Sequence, residues 1–341
     1  GIGFRKRVLE VRIQYLDCMS IRIGVAGLGR MGRIHARHLL TQISAARLVA
    51  VASASAEDLA WASTHLPGII RCTSLTALLQ QDIEAVVIAT PSRQHPNHIK
   101  KARHAGKHVF CEKPLGTTLT GCNRLWTDKT MLEGPVLMLG FMRRYDPSYG
   151  QAKDLIDSGA IGRPFLYRGY SADSVRLIED SLRFAAYSDG QFLDMAVHDI
   201  DLMRWYLQAE PTTVYASGGS YAWPQFTEHG DGDNVAAFFT FDNGSMAFLY
   251  TGRTAAHGYL VETEIIGTEG SLRIGAQPNA GFVELLDQQG RKETYMQDFE
   301  TRFATAFIRE LEEFCQLIES GGKGHFPGLR DGYFATRIAL G

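Results

Sequence analysis

The sequence predicts a doubly wound α/β domain followed by an α+β domain with a large open antiparallel sheet. Apolar runs alternate with helical stretches from Ile21 to about residue 143, at the spacing of βαβ units. A glycine loop joins the first run to the first helix. After the Asp146-Pro147 step, period-two strands and hairpin turns take over. A chain of 341 residues also exceeds what one core usually supports, so two domains are expected. The boundaries fall at an N-terminal extension of residues 1–20, a first domain of 21–143 and a second of 144–341.

In the first domain the strand candidates are Ile21 to Ala26, Arg47 to Ser53, Ala85 to Thr90, His108 to Glu112 and Val136 to Phe141. Each is apolar on both faces, as a buried parallel strand requires. Helical stretches lie between them at about 30–40, 55–65, 75–80, 94–105 and 118–131. Beyond Pro147 the expected order is a helix to Ser158, a strand from Pro164 to Ser171, a polar mobile stretch from Ala172 to Gly190 and a strong helix from Phe192 to Leu207. Runs such as Val235 to Phe241 and Ser245 to Tyr250 then alternate with turns at Asp242-Asn243-Gly244, Gly267-Thr268-Glu269-Gly270 and Gln288-Gln289-Gly290. Helix returns at about Arg302 to Glu319 and again from Tyr333 to Leu340.

Composition narrows the function classes. A net charge of -2 and a pI near 6.6 leave no basic face for nucleic acid, so small molecules are the expected partners. The five cysteines Cys18, Cys72, Cys111, Cys122 and Cys315 are scattered and form no C-x-x-C pair, which argues for reduced thiols, a cytoplasmic setting and no zinc site. No apolar stretch reaches the length of a membrane span, and the mixed charges of residues 1–20 do not read as a signal peptide.

The loop Gly27-Leu28-Gly29-Arg30-Met31-Gly32 fits G-x-G-x-x-G in the context the motif needs, between a strand and a helix. Gly27 permits the tight turn, Gly29 lets the backbone approach a pyrophosphate, and Gly32 lets the helix lie close to its strand. This is the dinucleotide-binding Rossmann arrangement, with the anion at a helix N-terminus. Lys113 follows the strand ending at Glu112, at the edge where ligands of open α/β sheets bind. It can hold a substrate oxygen there, or simply be a solvated loop lysine beside Glu112. On the later helix, Asp194 and His198 share a face at i, i+4, with Asp201 three residues further on. A carboxylate beside an imidazole suits a general base. A structural ion pair and a metal site using Asp194, His198 and Asp201 are the alternatives, although no second histidine or cysteine stands at ligand spacing. His95 and His98, just after Thr90-Pro91, are placed to line the cofactor cleft.

These residues resemble the glucose-fructose oxidoreductase, inositol dehydrogenase and rhizopine-catabolism group (Gfo/Idh/MocA), from Ile21 onward. The signatures are Ile23 to Gly29, Thr90-Pro91 with His95, Ala105 to Val109 through Glu112-Lys113-Pro114, and the Asp194 to His198 helix; Phe110 to Leu115 and Gly140 to Asp146 look most like the myo-inositol 2-dehydrogenases. The resemblance implies an NAD(P)-dependent oxidoreductase that takes a secondary hydroxyl of a cyclic polyol or sugar to the ketone. His198 would remove the proton, Asp194 orient it, Lys113 hold the reacting oxygen and Arg143 contact the polyol. The implied cofactor residues are Gly27, Leu28, Gly29, Arg30, Met31, Gly32, Ser53, Thr90, Pro91, His95, Glu112 and Lys113. It also implies a homo-oligomer, dimer or tetramer, built through the open sheet face. Relatives acting on sugars or anhydrosugars, an NAD-dependent glycosidase branch and a non-catalytic cofactor-binding sensor are the other readings. One departure concerns the cofactor: an acidic residue is expected about 20 residues past the glycine loop to grip the ribose of NAD, and Ser53 stands there. NAD is therefore placed ahead of NADP with a relaxed preference, Arg30 being the candidate to reach a 2'-phosphate.

Overall fold

The computed structural model describes residues 20–275, 285–288, 290–292 and 295–341. The expected extension at 1–20 lies outside the described residues except for Ser20, as does Gln289 of the third expected hairpin turn. The chain forms two compact units. One comprises the residues up to Gly116 with Thr120–Gly140 and Phe307–Arg330, the other Thr117–Leu119, Phe141–Ala306 and Asp331–Gly341. A single boundary near residue 143 therefore does not describe the chain, because the segment from Phe307 to Arg330 returns to the first unit.

In the first unit the strands β1 (Ile21–Ala26), β2 (Ala46–Ala52), β3 (Ile70–Cys72), β4 (Ala85–Ile88), β5 (His108–Glu112) and β6 (Leu137–Gly140) form a parallel sheet of order β3-β2-β1-β4-β5-β6. The connecting helices are α1 (Arg30–Thr41), α2 (Ala56–His65), α3 (Leu75–Leu79), α4 (His95–His104) and α5 (Leu119–Trp126). Burial on both faces explains the continuous apolar runs: all four residues of β4 and of β6 are buried. Strand β3 spans only three residues, too few to show a periodicity, and is the strand that patterning misses. The order reverses between β1 and β4, which creates the crevice where such sheets bind ligands. Helix α2 starts where Ser55 accepts the Asp58 N–H, with Glu57 and Asp58 in the first turn complementing the helix dipole. From the C-terminal part, Phe307, Leu311, Phe314 and Cys315 are buried. The Phe314 ring packs at 5.9 Å from Phe110, and Pro327 accepts the edge-strand Leu139 N–H at 2.7 Å.

In the second unit, α6 (Pro147–Asp157) and β7 (Pro164–Ser174) lead to α7 (Ile178–Ser188). The stretch expected to be a mobile loop is thus the end of a strand and a helix. Its apolar positions Ile178, Leu182 and Ala185 pack with Trp223 and Phe226, while Asp180 and Arg183 face outward. The expected strong helix also divides. Phe192–Ala196 is a π-helical turn and α8 (Val197–Leu207) continues from it. The sheet, with β8 (Pro211–Gly219), β9 (Asn234–Phe241), β10 (Met246–Ala255), β11 (Leu260–Gly267) and β12 (Ser271–Ile274), has the order β12-β11-β7-β10-β9-β8. It is mixed rather than purely antiparallel, since β7 and β10 run parallel. The helices and strands between those two supply the long crossover that a parallel pair needs. A further hairpin pairs β13 (Leu285–Asp287) with β14 (Gly290–Lys292), and α9 (Phe299–Arg302), α10 (Ala304–Glu319) and α11 (Leu329–Leu340) end the chain. Among the described residues no helix is long and apolar enough to cross a membrane.

Buried charges fix α8 on its sheet. The Asp199 carboxylate accepts from Arg143 at 3.0 Å, from the Ser171 hydroxyl at 2.7 Å and from the Tyr167 hydroxyl at 2.9 Å. Asp201 takes Arg144 through Nε at 2.7 Å, and Arg144 also reaches Asp331 at 2.8 Å. Burial opposes the Arg143 charge, but Asp199 and the surrounding tyrosines outweigh it and hold its pKa above the ordinary value. Removing one partner from a buried pair strands the other charge at a cost of about 3–5 kcal/mol. Arg143→Ala should therefore lower stability by about that amount in urea denaturation. A loss under about 1 kcal/mol would show that Asp199 finds solvent or another donor.

Candidate active site

The glycine loop has the geometry its sequence demands. Gly27 adopts φ of +92°, and a side chain on it would meet the Ala89 carbonyl oxygen at 2.4 Å. On Gly32 an added Cβ would fall 1.9 Å from the Gly27 oxygen, so α1 could not approach its strand with any other residue. Gly29 differs: an added Cβ there meets no atom within 4 Å. Its missing side chain relieves no contact inside the protein and leaves room for a group from outside. Gly29 is also the N-cap of α1, with no side-chain cap and no acidic residue in the first turn. The first-turn N–H groups and the helix dipole thus face the anion side of the loop, and this donor set fits the pyrophosphate of a dinucleotide. Leu28 is buried, while Arg30 and Met31 open the helix at the exposed end of the loop.

The next strand ends complete the edge. Thr90 donates to or accepts from His98 Nδ1 at 2.9 Å. His95 was placed in the cleft by its position after Thr90-Pro91, but it is buried, with Nδ1 2.7 Å from the Pro114 oxygen and Nε2 2.8 Å from the Thr90 oxygen. Both ring nitrogens are engaged, so His95 braces the Thr90-Pro91 loop against the loop after β5 instead of offering a nitrogen to a ligand. Burial lowers its pKa and brings that of His98 down to about 4. At the end of β5, Glu112 Oε2 accepts the Lys113 N–H at 3.2 Å, which fixes the backbone from which the half-buried Lys113 side chain springs.

Beneath Lys113 is a buried group that no motif signalled. His35 Nε2 lies 2.7 Å from Glu112 Oε1, and the Glu310 carboxyl completes a cluster whose ligand-type atoms all lie within 4.8 Å of one another. Two ligands of a tetrahedral zinc, each bonded at 2.0–2.1 Å, stand about 3.3 Å apart, so the 2.7 Å separation is that of a shared proton. Neither oxygen of Glu310 has a hydrogen-bond partner among the described residues. Burial, and then the Glu112 charge, push its pKa well above the carboxylate range. Glu310 is thus held toward its protonated form beside Glu112.

In the second unit, Asp194 lies in the π-helical turn and His198 in the first turn of α8. The i, i+4 relation of a regular α-helix is therefore widened at Asp194. Such π-turns recur at functional sites. The Asp194 carboxylate faces Arg253 at 3.5 Å; that arginine is 1 % exposed, binds Asp231 at 2.6 Å and lies 4.7 Å over the Phe226 ring. Sequence reading missed Arg253 and Asp231. The available signal was an arginine in the core-facing register of a strand, following Ala247, Leu249 and Thr251, a position that demands a carboxylate. His198 is 8 % exposed and meets the Phe141 ring edge-on at 6.3 Å. Two residues singled out in the sequence are bound to partners within the second unit. Asp201, a ligand only in the alternative metal reading, is bound to Arg144. Arg143, expected to hold a polyol, is 4 % exposed with its fork turned to Asp199 and Ser171.

The chain matches two family models. Residues 21–136 match "Oxidoreductase family, NAD-binding Rossmann fold", and residues 149–273 match "GFO/IDH/MocA C-terminal domain". It is 35% identical over 304 residues to a scyllo-inositol 2-dehydrogenase (NAD(+)) of Bacillus subtilis, covering 89% of this chain and 87% of that protein. A myo-inositol 2-dehydrogenase of Thermotoga maritima is 31% identical over 304 residues, covering 88% and 89%. Among solved structures, scyllo-inositol dehydrogenase from Lactobacillus casei with bound cofactor NAD(H) and scyllo-inositol superposes with a TM-score of 0.89 at 39% identity, covering 94% of this chain and 95% of that one.

Glu310 supplies a pH test of the buried cluster. In the unfolded chain it ionises above its ordinary pKa of 4.5, while in the fold its pKa is raised. The folded state then binds more protons than the unfolded one. Its contribution is thus intact below about pH 4.5 and is lost as pH rises toward the folded value. In Glu310→Gln this loss should be absent, so the variant gains on the wild type in denaturation midpoint between pH 5 and pH 8. Parallel curves would mean that Glu310 ionises in place.

Proposed function

Because the chain belongs to the GFO/IDH/MocA oxidoreductase family, we propose that it is an NAD-dependent dehydrogenase that oxidises one secondary hydroxyl of an inositol-class cyclitol to the ketone. The observation that carries this reading is similarity along nearly the whole chain to inositol dehydrogenases, one of them solved with NAD(H) and scyllo-inositol. The glycine loop, with Gly29 open at the N-terminus of α1, would hold the cofactor pyrophosphate. When bound, NAD supplies the acceptor for hydride from the carbinol carbon. His198 takes the hydroxyl proton, and Asp194, its charge matched by Arg253, orients and stabilises the protonated imidazole. Lys113, on a backbone fixed by Glu112, donates to the reacting oxygen. Since the Arg143 fork is engaged, polyol recognition is assigned to Lys113, Asp194 and His198 without it.

Reduction of NAD on mixing with myo-inositol, scyllo-inositol, glucose and simple aliphatic alcohols tests the reading directly. The cyclitols should react and the aliphatic alcohols should not; the reverse pattern would sink the polyol assignment. His198→Ala should lower turnover by about 10² to 10⁴, the range for general acid-base catalysis, with NADH affinity kept. Wild-type turnover in that variant would remove His198 from the chemistry.

Assembly is part of the same proposal. Tyr215, Phe238 and Phe248 form one row across β8, β9 and β10, and are 75%, 41% and 39% exposed. Aromatic rows of this kind on an open sheet mark an interface, and a homo-oligomer formed through this face would cover them. Sedimentation should give a dimer or tetramer for the wild type and a smaller species for a Tyr215→Asp, Phe238→Asp variant. A monomeric wild type would refute it.

A further inference from the structure

The end of β2 lacks the acidic residue that usually meets the adenosine ribose, yet a carboxylate arrives there from elsewhere. Asp58, in the first turn of α2, accepts the Ser53 hydroxyl at Oδ2 over 2.7 Å. Its Oδ1 accepts from Arg33 Nη2 at 2.9 Å. Arg33 in turn donates through Nε to the Leu28 carbonyl of the glycine loop at 2.9 Å, and its guanidinium lies 4.7 Å over the Trp61 ring. Ser53 is occupied twice, since its oxygen also accepts the Ser55 N–H at 3.1 Å. It therefore has no proton left to donate. The charged groups are not sealed in: the Arg33 and Asp58 side chains remain 31% and 21% exposed.

We propose that Asp58 is the residue that selects NAD over NADP, and that it does so in two ways. Each of its oxygens keeps a lone pair after the bonds to Ser53 and Arg33, so a ribose 2'-hydroxyl can donate to it in the role usually filled by the strand-end acid. Asp58 also masks Arg33. Paired, the two charges cancel and the carboxylate repels a 2'-phosphate; unpaired, Arg33 would present its fork to that phosphate. Ser53 acts through Asp58, holding its carboxylate at the strand end. This assignment rests on the reading that the chain binds a nicotinamide dinucleotide.

Affinities for NADH and NADPH, measured by fluorescence titration without any polyol, test it apart from catalysis. The wild type should prefer NADH. In Asp58→Asn, NADH should weaken and NADPH tighten, each about 10-fold, which moves their ratio about 100-fold. Asp58→Glu should keep the NADH preference, which separates a charge effect from damage to the start of α2. Adding Arg33→Ala to Asp58→Asn should abolish the NADPH gain. A ratio that moves less than about 3-fold in Asp58→Asn, or a gain that survives loss of Arg33, overturns the proposal. If the wild type binds neither nucleotide, the dinucleotide reading falls and takes this assignment with it, whereas binding without polyol turnover leaves Asp58 supported and the substrate reading refuted.

Discussion

The contact of Gly32 with the Gly27 carbonyl, closer than any side chain would allow, is the constraint on which the first unit depends. It seats α1 against the strand-end loop, and α1 carries more than the N-terminus proposed to meet the pyrophosphate. One residue beyond Gly32, Arg33 reaches the glycine loop and Asp58, whose carboxylate meets Ser53 just past the end of β2. Three residues beyond it, His35 reaches Glu112 at the end of β5. A single helix thus ties together both strand ends between which a dinucleotide would lie. Because the interior is close-packed, a shift of α1 by even a methyl group would move all these groups at once.

The second unit depends on buried charge instead of close approach. Asp199 and Asp201 flank the helical turn that carries His198, and each is held by an arginine from the segment just after β6. Buried pairs of this kind add little net stability over an apolar core, but they penalise any arrangement that separates them. Here they specify the rotation of α8 on its sheet. Arg253 does the same for the π-helical turn, through Asp231 on one side and Asp194 on the other. A wide turn costs regular hydrogen bonding, and its survival beside an anchored carboxylate is consistent with a functional constraint there.

Local signals were enough where local physics decides. Parallel strands buried on both faces read as apolar runs, so β1, β2, β4, β5 and β6 were legible, as were the glycine loop and the strand-end Lys113. Patterning failed where an element is short or its face irregular: the three residues of β3, the half-polar α7, and the π-turn that a period of 3.6 cannot distinguish from regular helix. The parallel pairing of β7 with β10 was hidden for a different reason, since strand direction depends on the crossover between them.

By itself, then, the sequence determined which residue types stand where the proposed chemistry would need them: glycines where no Cβ fits, a lysine at a strand end, and an aspartate and a histidine on one helical segment. Only the tertiary structure decided what each polar group is paired with. Ser53 looked like a missing carboxylate until Asp58 was brought to it. Arg143 looked like an open fork until Asp199 closed it. His35, Glu112 and Glu310 come from distant parts of the chain and share one buried site. Hydrogen bonding and ion pairing act over about 3 Å in space, whatever the separation along the chain, so a buried charge finds its partner only when the chain is folded.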